Sequence, residues 1–216
     1  MIIGLTFKVG AAPFHFWTAD VYDGAPILIT TFMSTVVKVA SFAGLLRLFS
    51  FSLLPLQDFW TPLFLGIVVI TLFIGNLSAL MQSSFKRMLA YSSISHAGYM
   101  LFAIVAIGAN SASSVLVYGL SYSLATLIAF AGLILVKRAS GSDHFESFNG
   151  LGKRNPFLAA VITIAMLSLA GIPLTAGFIG KFMLVMTVVS EQHWLFAAMI
   201  IIGSGIGLYY YLRVMI

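Results

Sequence analysis

The chain alternates long apolar blocks with short polar stretches, and the block lengths predict the elements. After a first block, Ile2–Trp17, further blocks run over Ile27–Phe49, Leu63–Met81, Met88–Ala109, Val115–Val136, Phe157–Val189 and Trp194–Val214. Each of the later blocks is long enough to cross a hydrocarbon core of ~30 Å as a helix. The pattern therefore predicts about seven crossings, the first of them short. Thr18–Ala25, with Asp20 and Asp23, reads as a polar loop, and Lys137–Pro156 as a flexible connection with a Ser-Gly-Ser-Asp stretch.

Phe157–Val189 is too long for one straight helix, which would reach ~50 Å. Gly171, Pro173 and Gly177 mark its break, because proline removes a helix hydrogen bond and glycine lets the backbone turn. Lys181 lies just past that break. Backbone groups freed inside a membrane must face protein or water. A lysine beside them is either a functional group or a side chain snorkelling to the headgroups. A second interruption, Gly10–Pro13, lies in the first block. The two broken segments are an odd number of spans apart and so cross in opposite directions, as in an inverted-topology repeat. The match is imperfect, since Lys8 precedes its proline while Lys181 follows its own.

Composition places these blocks in a membrane. The chain is 61% hydrophobic and 8% charged, with mean hydropathy +1.07, which predicts an all-α polytopic membrane protein. Both ends look cut, at Met1 and at Ile216, so the chain is expected to be part of a longer membrane domain. Cysteine is absent, which excludes disulfides, iron–sulfur ligation and thiolate zinc sites in this chain. His15, His96, His144 and His193 have no metal-ligand spacing, and no glycine-rich phosphate loop follows a strand. No metal and no cofactor is expected here, and any redox cofactor belongs to other chains.

The net charge of +5 does not imply nucleic acid, because the loops explain it. Lys86, Arg87, Lys137, Arg138, Lys153, Arg154 and Arg213 fall on one side of the predicted spans, and Arg47 falls on the other. The positive-inside rule makes the first side cytoplasmic. The Asp20/Asp23 loop is an exception on that side. The remaining basic residues, Lys8, Lys38 and Lys181, sit inside apolar blocks.

Polar residues also recur at helical spacing. Thr31, Ser34, Lys38 and Ser41 make one face, Ser92, His96 and Tyr99 a second, and Tyr118, Ser121, Tyr122 and Thr126 a looser third. Such stripes are either interhelical glue or a hydrated polar axis. The six carboxylates (Asp20, Asp23, Asp58, Asp143, Glu146 and Glu191) all lie in or beside loops. A buried lysine either gives up its proton or pairs with an anion. Lysines that alternate between these states form a proton relay, whose carboxylate is expected from an upstream segment or a neighbouring subunit. His96 either passes protons between lysines or packs helices near the cytoplasmic end.

Four blocks carry a family resemblance. Phe7-Lys8, Pro13-Phe14-His15-Phe16-Trp17, Asp20-Val21-Tyr22 and Gly24-Ala25-Pro26 resemble the seventh helix and following loop of the antiporter-like subunit N family of respiratory complex I. Lys86 to Tyr99 resembles that family's tenth helix. Ser168 to Pro173 with Ala176 to Phe182 resembles its broken twelfth, and Gly207 to Arg213 its thirteenth. The similarity runs end to end in the family's order. It implies two inverted five-helix repeats, with residues 1–49 the last two helices of the first and 57–216 the second. It places the family's proton-path lysines on Lys8, Lys38 and Lys181 and its tenth-helix histidine on His96. The lysine at position 38 favours subunit N over its sister subunits L and M. The family's key glutamate, on its fifth helix, has no counterpart here.

The resemblance implies a proton-translocating, non-redox subunit of NADH:quinone oxidoreductase. Quinone and NADH would be handled by other subunits. Its partners would be other membrane-arm subunits and the lipid bilayer, and its location the bacterial inner membrane. A subunit of a multisubunit cation/proton antiporter is the alternative, and an inert membrane scaffold a third reading.

Overall fold

A computed structural model describes residues 2–108 and 110–215. The two expected cut ends and the last residue of the expected Met88–Ala109 span lie outside the described residues. All named elements among the described residues are helical, and one isolated bridge pairs Ser84 with His144.

The first block is broken as expected. Helix α1 (Ile2–Val9) and helix α2 (Phe16–Gly24) flank it. The Ala12 amide, freed by the break, donates to Thr71 Oγ1 at 2.9 Å. The polar stretch expected as a loop is mostly helix, because α2 continues through Asp20 and Asp23 to Gly24. Their carboxylates do not need a loop, because both pair with Arg87 at 3.3 Å. Pro26 ends the helix by holding Ala25 extended, at φ −73° and ψ 156°.

A continuous apolar helix then runs Ile27–Ser52. It comprises α3 (Ile27–Phe32), a π-helical turn (Met33–Val37), α4 (Lys38–Arg47) and a second π turn (Leu48–Ser52). Helices α5 (Gln57–Leu80), α6 (Phe85–Ala106) and α7 (Ser111–Ser140) follow. Each starts before the apolar block that predicted it, since polar residues at helix ends mark the headgroup boundary rather than the end of the helix. The short α8 (Leu151–Arg154) precedes the broken span, α9 (Pro156–Ala170) and α10 (Ala176–Ser190), and α11 (Trp194–Leu212) closes the chain. Among the described residues, five helices are long and apolar enough to cross a membrane, and α9 and α10 are shorter apolar helices.

Helix α6 is the hub. In its spanning window 94% of residues are buried, against 33% in Ile27–Ser52. Small residues (Ala90, Ser92, Ser93, Ser95, Ala97 and Gly98) let its neighbours approach closely. At the tightest point, a Cβ on Gly75 of α5 would lie 2.5 Å from the Ser95 amide nitrogen.

In the second break, Gly171 takes φ +83° at the end of α9, and Thr175 Oγ1 caps α10 by accepting from the Phe178 amide at 3.3 Å. Gly177 does not bend the chain. It lies inside α10, where an added Cβ would fall 1.7 Å from the Ser168 carbonyl oxygen. Its role is close approach of the two half-helices.

At one end of the bundle the basic residues meet the acidic ones. Lys86, expected in a loop, sits in the first turn of α6 and is 4% exposed. Its ammonium donates to the Asp23 and Ala25 carbonyls at 2.5 and 2.6 Å, clasping the C-terminus of α2. Arg87, next to Lys86, pairs with both Asp20 and Asp23, so those carboxylates are met by a basic residue of α6. The 141–155 connection, expected to be flexible, is tied down. Lys137 pairs with Asp143 at 2.8 Å, the Phe85 amide donates to the Asp143 carbonyl, and the Arg213 guanidinium lies 5.0 Å from the Phe145 ring centroid. Partial burial pushes the Asp143 carboxyl up, but the hydrogen bond and charge of Lys137 outweigh it and hold the group below its usual value. The tie is therefore intact near neutral pH and weakens only as pH falls through that lowered value.

Two substitutions test this packing. Gly177→Ala forces α9 and α10 apart and should cost about 1–3 kcal/mol, read as a lower unfolding temperature in detergent. Lys86→Met should cost about 1.5–3 kcal/mol through the lost charge-assisted bonds and open the α2–α6 junction to protease, while Arg87→Gln should have a much smaller effect.

Candidate functional site

The break in the α9–α10 span leaves the last carbonyls of α9 without helical partners. Lys181, in the second turn of α10, points back at them. Its Nζ donates to the Ala170 carbonyl at 2.8 Å and lies 5.1 Å from the Tyr99 ring centroid. Its stem runs over Gly171, where an added Cβ would meet Lys181 Cδ at 2.7 Å. Gly171 is thus required twice, for its positive φ and for the space the lysine occupies. A cation at the negative end of a half-helix is also favoured by the helix dipole.

Lys38 immediately follows the first π turn, and π turns re-aim the side chains that follow them. Its Nζ donates to the Ser93 carbonyl at 2.6 Å and to Ser93 Oγ at 3.1 Å. Lys38 and Lys181 are 4% and 7% exposed. Among the described residues, neither has a carboxylate in salt-bridge range.

His96 sits between them on α6. Its Nδ1 is 2.6 Å from the Tyr118 hydroxyl and its Nε2 is 2.9 Å from the Tyr211 hydroxyl. Tyr211 in turn donates to Ser92 Oγ at 2.7 Å. With that proton committed, Tyr211 accepts from Nε2–H, so Nδ1 of a neutral ring accepts from Tyr118. The Tyr122 ring packs 4.7 Å from the imidazole centroid, and the Tyr122 and Thr126 hydroxyls are buried without partners among the described residues.

One helix therefore joins the two lysines. Ser93, His96 and Tyr99 follow one another at three-residue intervals on α6, with Lys38 bonded to the first and Lys181 seated over the third. Lys8 is not part of this buried line. Its side chain is exposed, although it shares a cavity of about 200 Å³ with Trp17, Tyr22, Val37 and Lys38. No cluster of three metal-ligating side chains forms among the described residues.

The polar stripes fare differently. Thr31, Ser34 and Ser41 bond back to carbonyls of their own helix, so only Lys38 of that face reaches across. The Ser92–His96–Tyr99 face is the one built into the site. Of the third stripe, Tyr118 joins it and Ser121 bonds back to Val117. Ser93, the Ala170 carbonyl and Tyr211 escaped sequence reasoning. Ser93 lies one position off its stripe, a main-chain carbonyl carries no sequence signal, and Tyr211 stands in a Tyr-Tyr-Tyr run whose inward member only packing selects.

Residues 1–207 match the family model described as NADH:quinone oxidoreductase/Mrp antiporter, TM. The subunit N of NADH-quinone oxidoreductase from Acinetobacter baumannii is 47% identical over 220 residues, covering 100% of this chain and 44% of that protein. Among solved structures, a chain of respiratory complex I from Thermus thermophilus is 39% identical with TM-score 0.83, over 98% of this chain and 46% of that one. A chain of the Mrp complex from Dietzia sp. shares the fold at TM-score 0.82 and 24% identity, over 99% of this chain and 40% of that one. The chain spans less than half the length of these relatives. With its sequence matched from end to end, the chain belongs to the NADH:quinone oxidoreductase/Mrp antiporter membrane family, on the branch of subunit N of complex I.

Proposed function

We propose that this chain is the relay-bearing part of a proton-translocating subunit of NADH:quinone oxidoreductase, driven by redox chemistry in other subunits. The observation that carries the reading is the α6 line from Lys38 through His96 to Lys181, with two buried lysines and no carboxylate partner among the described residues. In this reading Lys38 passes a proton towards the His96–tyrosine network, and Lys181 gates the exit. Neither lysine is hydrogen-bonded to His96, and the Tyr118 and Tyr211 hydroxyls on the imidazole are suited to pass protons to and from it, since a hydroxyl donates and accepts without ionising. The unpartnered Tyr122 and Thr126 hydroxyls are suited to hold water along the same path. In this reading Lys8, exposed and lining the same cavity as Lys38, exchanges charge with a carboxylate supplied from outside this chain.

The same reading assigns residues 1–49 to the end of one inverted repeat and 57–216 to the next. It assigns the redox cofactors to other subunits and the contacts of this chain to neighbouring membrane-arm subunits and lipid. The cluster of Lys86, Arg87, Lys137 and Arg213 at one end supports a cytoplasmic orientation of that end in a bacterial inner membrane. Subunit N is favoured over a cation/proton antiporter by the 39% identity to a complex I chain, against 24% for the Mrp chain.

In the assembled complex reconstituted into vesicles, Lys181→Ala should lower proton pumping by on the order of 100-fold while assembly stays normal. Normal pumping with normal assembly would leave only the scaffold reading. Tyr118→Phe leaves His96 Nδ1 without its donor, at a cost of about 1–3 kcal/mol. It should slow pumping more than the NADH oxidation measured with an artificial acceptor, whereas a purely packing histidine would lower both together through lost assembly.

A further inference from the structure

A cleft of about 310 Å³ opens where α7 ends and α9 begins. Leu135, Ala139, Leu151 and Leu158 form its apolar wall, and Ser147 and Arg154 its polar rim. Leu135 of this wall is 51% exposed, and Phe157, next to Leu158 in sequence, is 79% exposed. Arg154 stands at its rim, where its guanidinium also donates to the Asn149 carbonyl, and Arg138 and Lys153 adjoin lining residues in sequence; all three are exposed. Among the described residues none of these three has a carboxylate in salt-bridge range, because Asp143 is engaged by Lys137 and Glu146, the other acid of the connection, pairs with no base.

We propose that this cleft is a binding site for one membrane phospholipid with an anionic headgroup, its phosphate on Arg154 with Arg138 and Lys153 nearby and an acyl chain along Leu135 and Leu158. The charge decides the occupant. Arg154 at the rim, with Arg138 and Lys153 adjoining lining residues in sequence, gives the polar end of an apolar groove three exposed cations with no carboxylate in salt-bridge range among the described residues. A zwitterionic lipid would match the groove but not the cations, and a soluble anion would match the cations but not the groove. Basic residues at such positions each contribute attraction to anionic lipid. The site uses no residue of the lysine relay and does not depend on it.

The test uses the full-length subunit in its assembled complex, in phosphatidylcholine nanodiscs containing a little phosphatidylglycerol with a photoactivatable acyl chain. Crosslinks should map to the segment around Leu135 or Leu158. They should be competed by unlabelled phosphatidylglycerol and not by inorganic phosphate. Labelling should fall about fivefold for each cation removed in the series Arg138→Gln, Lys153→Gln and Arg154→Gln. Equal labelling by a photoactivatable phosphatidylcholine would reduce the cleft to ordinary lipid-facing surface. Competition by phosphate would make it a soluble-anion site, and absence of labelling would also overturn the proposal. Leu158→Trp, which fills the groove and keeps every cation, provides an independent arm if the charge variants fail to assemble. It must lose the label, and its retention would overturn the proposal.

Discussion

Lys38, Lys86 and Lys181, the three buried lysines, each donate to a main-chain carbonyl. Within a membrane, carbonyls released by a helix break or a helix end must find a donor, since lipid offers none. The lysines supply it at the Ala170 carbonyl in the second break and at Asp23 and Ala25 where α2 ends. A carbonyl accepts from –NH3⁺ and, more weakly, from a neutral amine, which keeps two N–H donors.

The second requirement is a helix that can be surrounded. Helix α6 is buried on nearly every side because Gly75, Gly98 and its serines and alanines bring adjacent backbones close. A helix in that position must satisfy its polar side chains against other protein groups. His96 does so with two tyrosines from α7 and α11, and Ser93 does so with Lys38. These polar groups thus pin three helices to the hub. The Tyr122 and Thr126 hydroxyls, without partners among the described residues, are the exceptions, and the Tyr122 ring packs against the imidazole.

The polar end of the bundle fixes the geometry from outside. Lys86 and Arg87, in the first turn of the hub, grip the end of the first broken segment, while Asp143 and Phe145 of the 141–155 connection pair with residues just before and at the start of the same helix. Both broken segments are therefore referenced to α6. One is held by its end through Lys86, and the other lays Lys181 over Tyr99.

The apolar block lengths determined the all-helical membrane fold, because an unassisted crossing needs about 20 apolar residues and a 33-residue block must break. The breaks at Gly10–Pro13 and Gly171–Pro173, the lysines isolated in apolar surroundings and the candidate His96 were legible for the same reason, since glycine, proline and charge are costly there and stand out. Element ends were less legible. Asp20 and Asp23 look like loop residues until Arg87 is seen to pair with them. Partnership was decided only in three dimensions. Spacing placed Thr31, Ser34 and Ser41 on a shared face with Lys38, but their hydroxyls close on their own helix, and the π turn aims only the lysine across. Lys86 looked like a loop charge and proved to be a buried clasp, whereas Lys8 looked buried and is exposed. The physical reason is that burial and polar cost are properties of local composition. Which donor meets which acceptor depends on close approaches between residues far apart in the chain, set here by glycines whose missing Cβ atoms leave room for a neighbour.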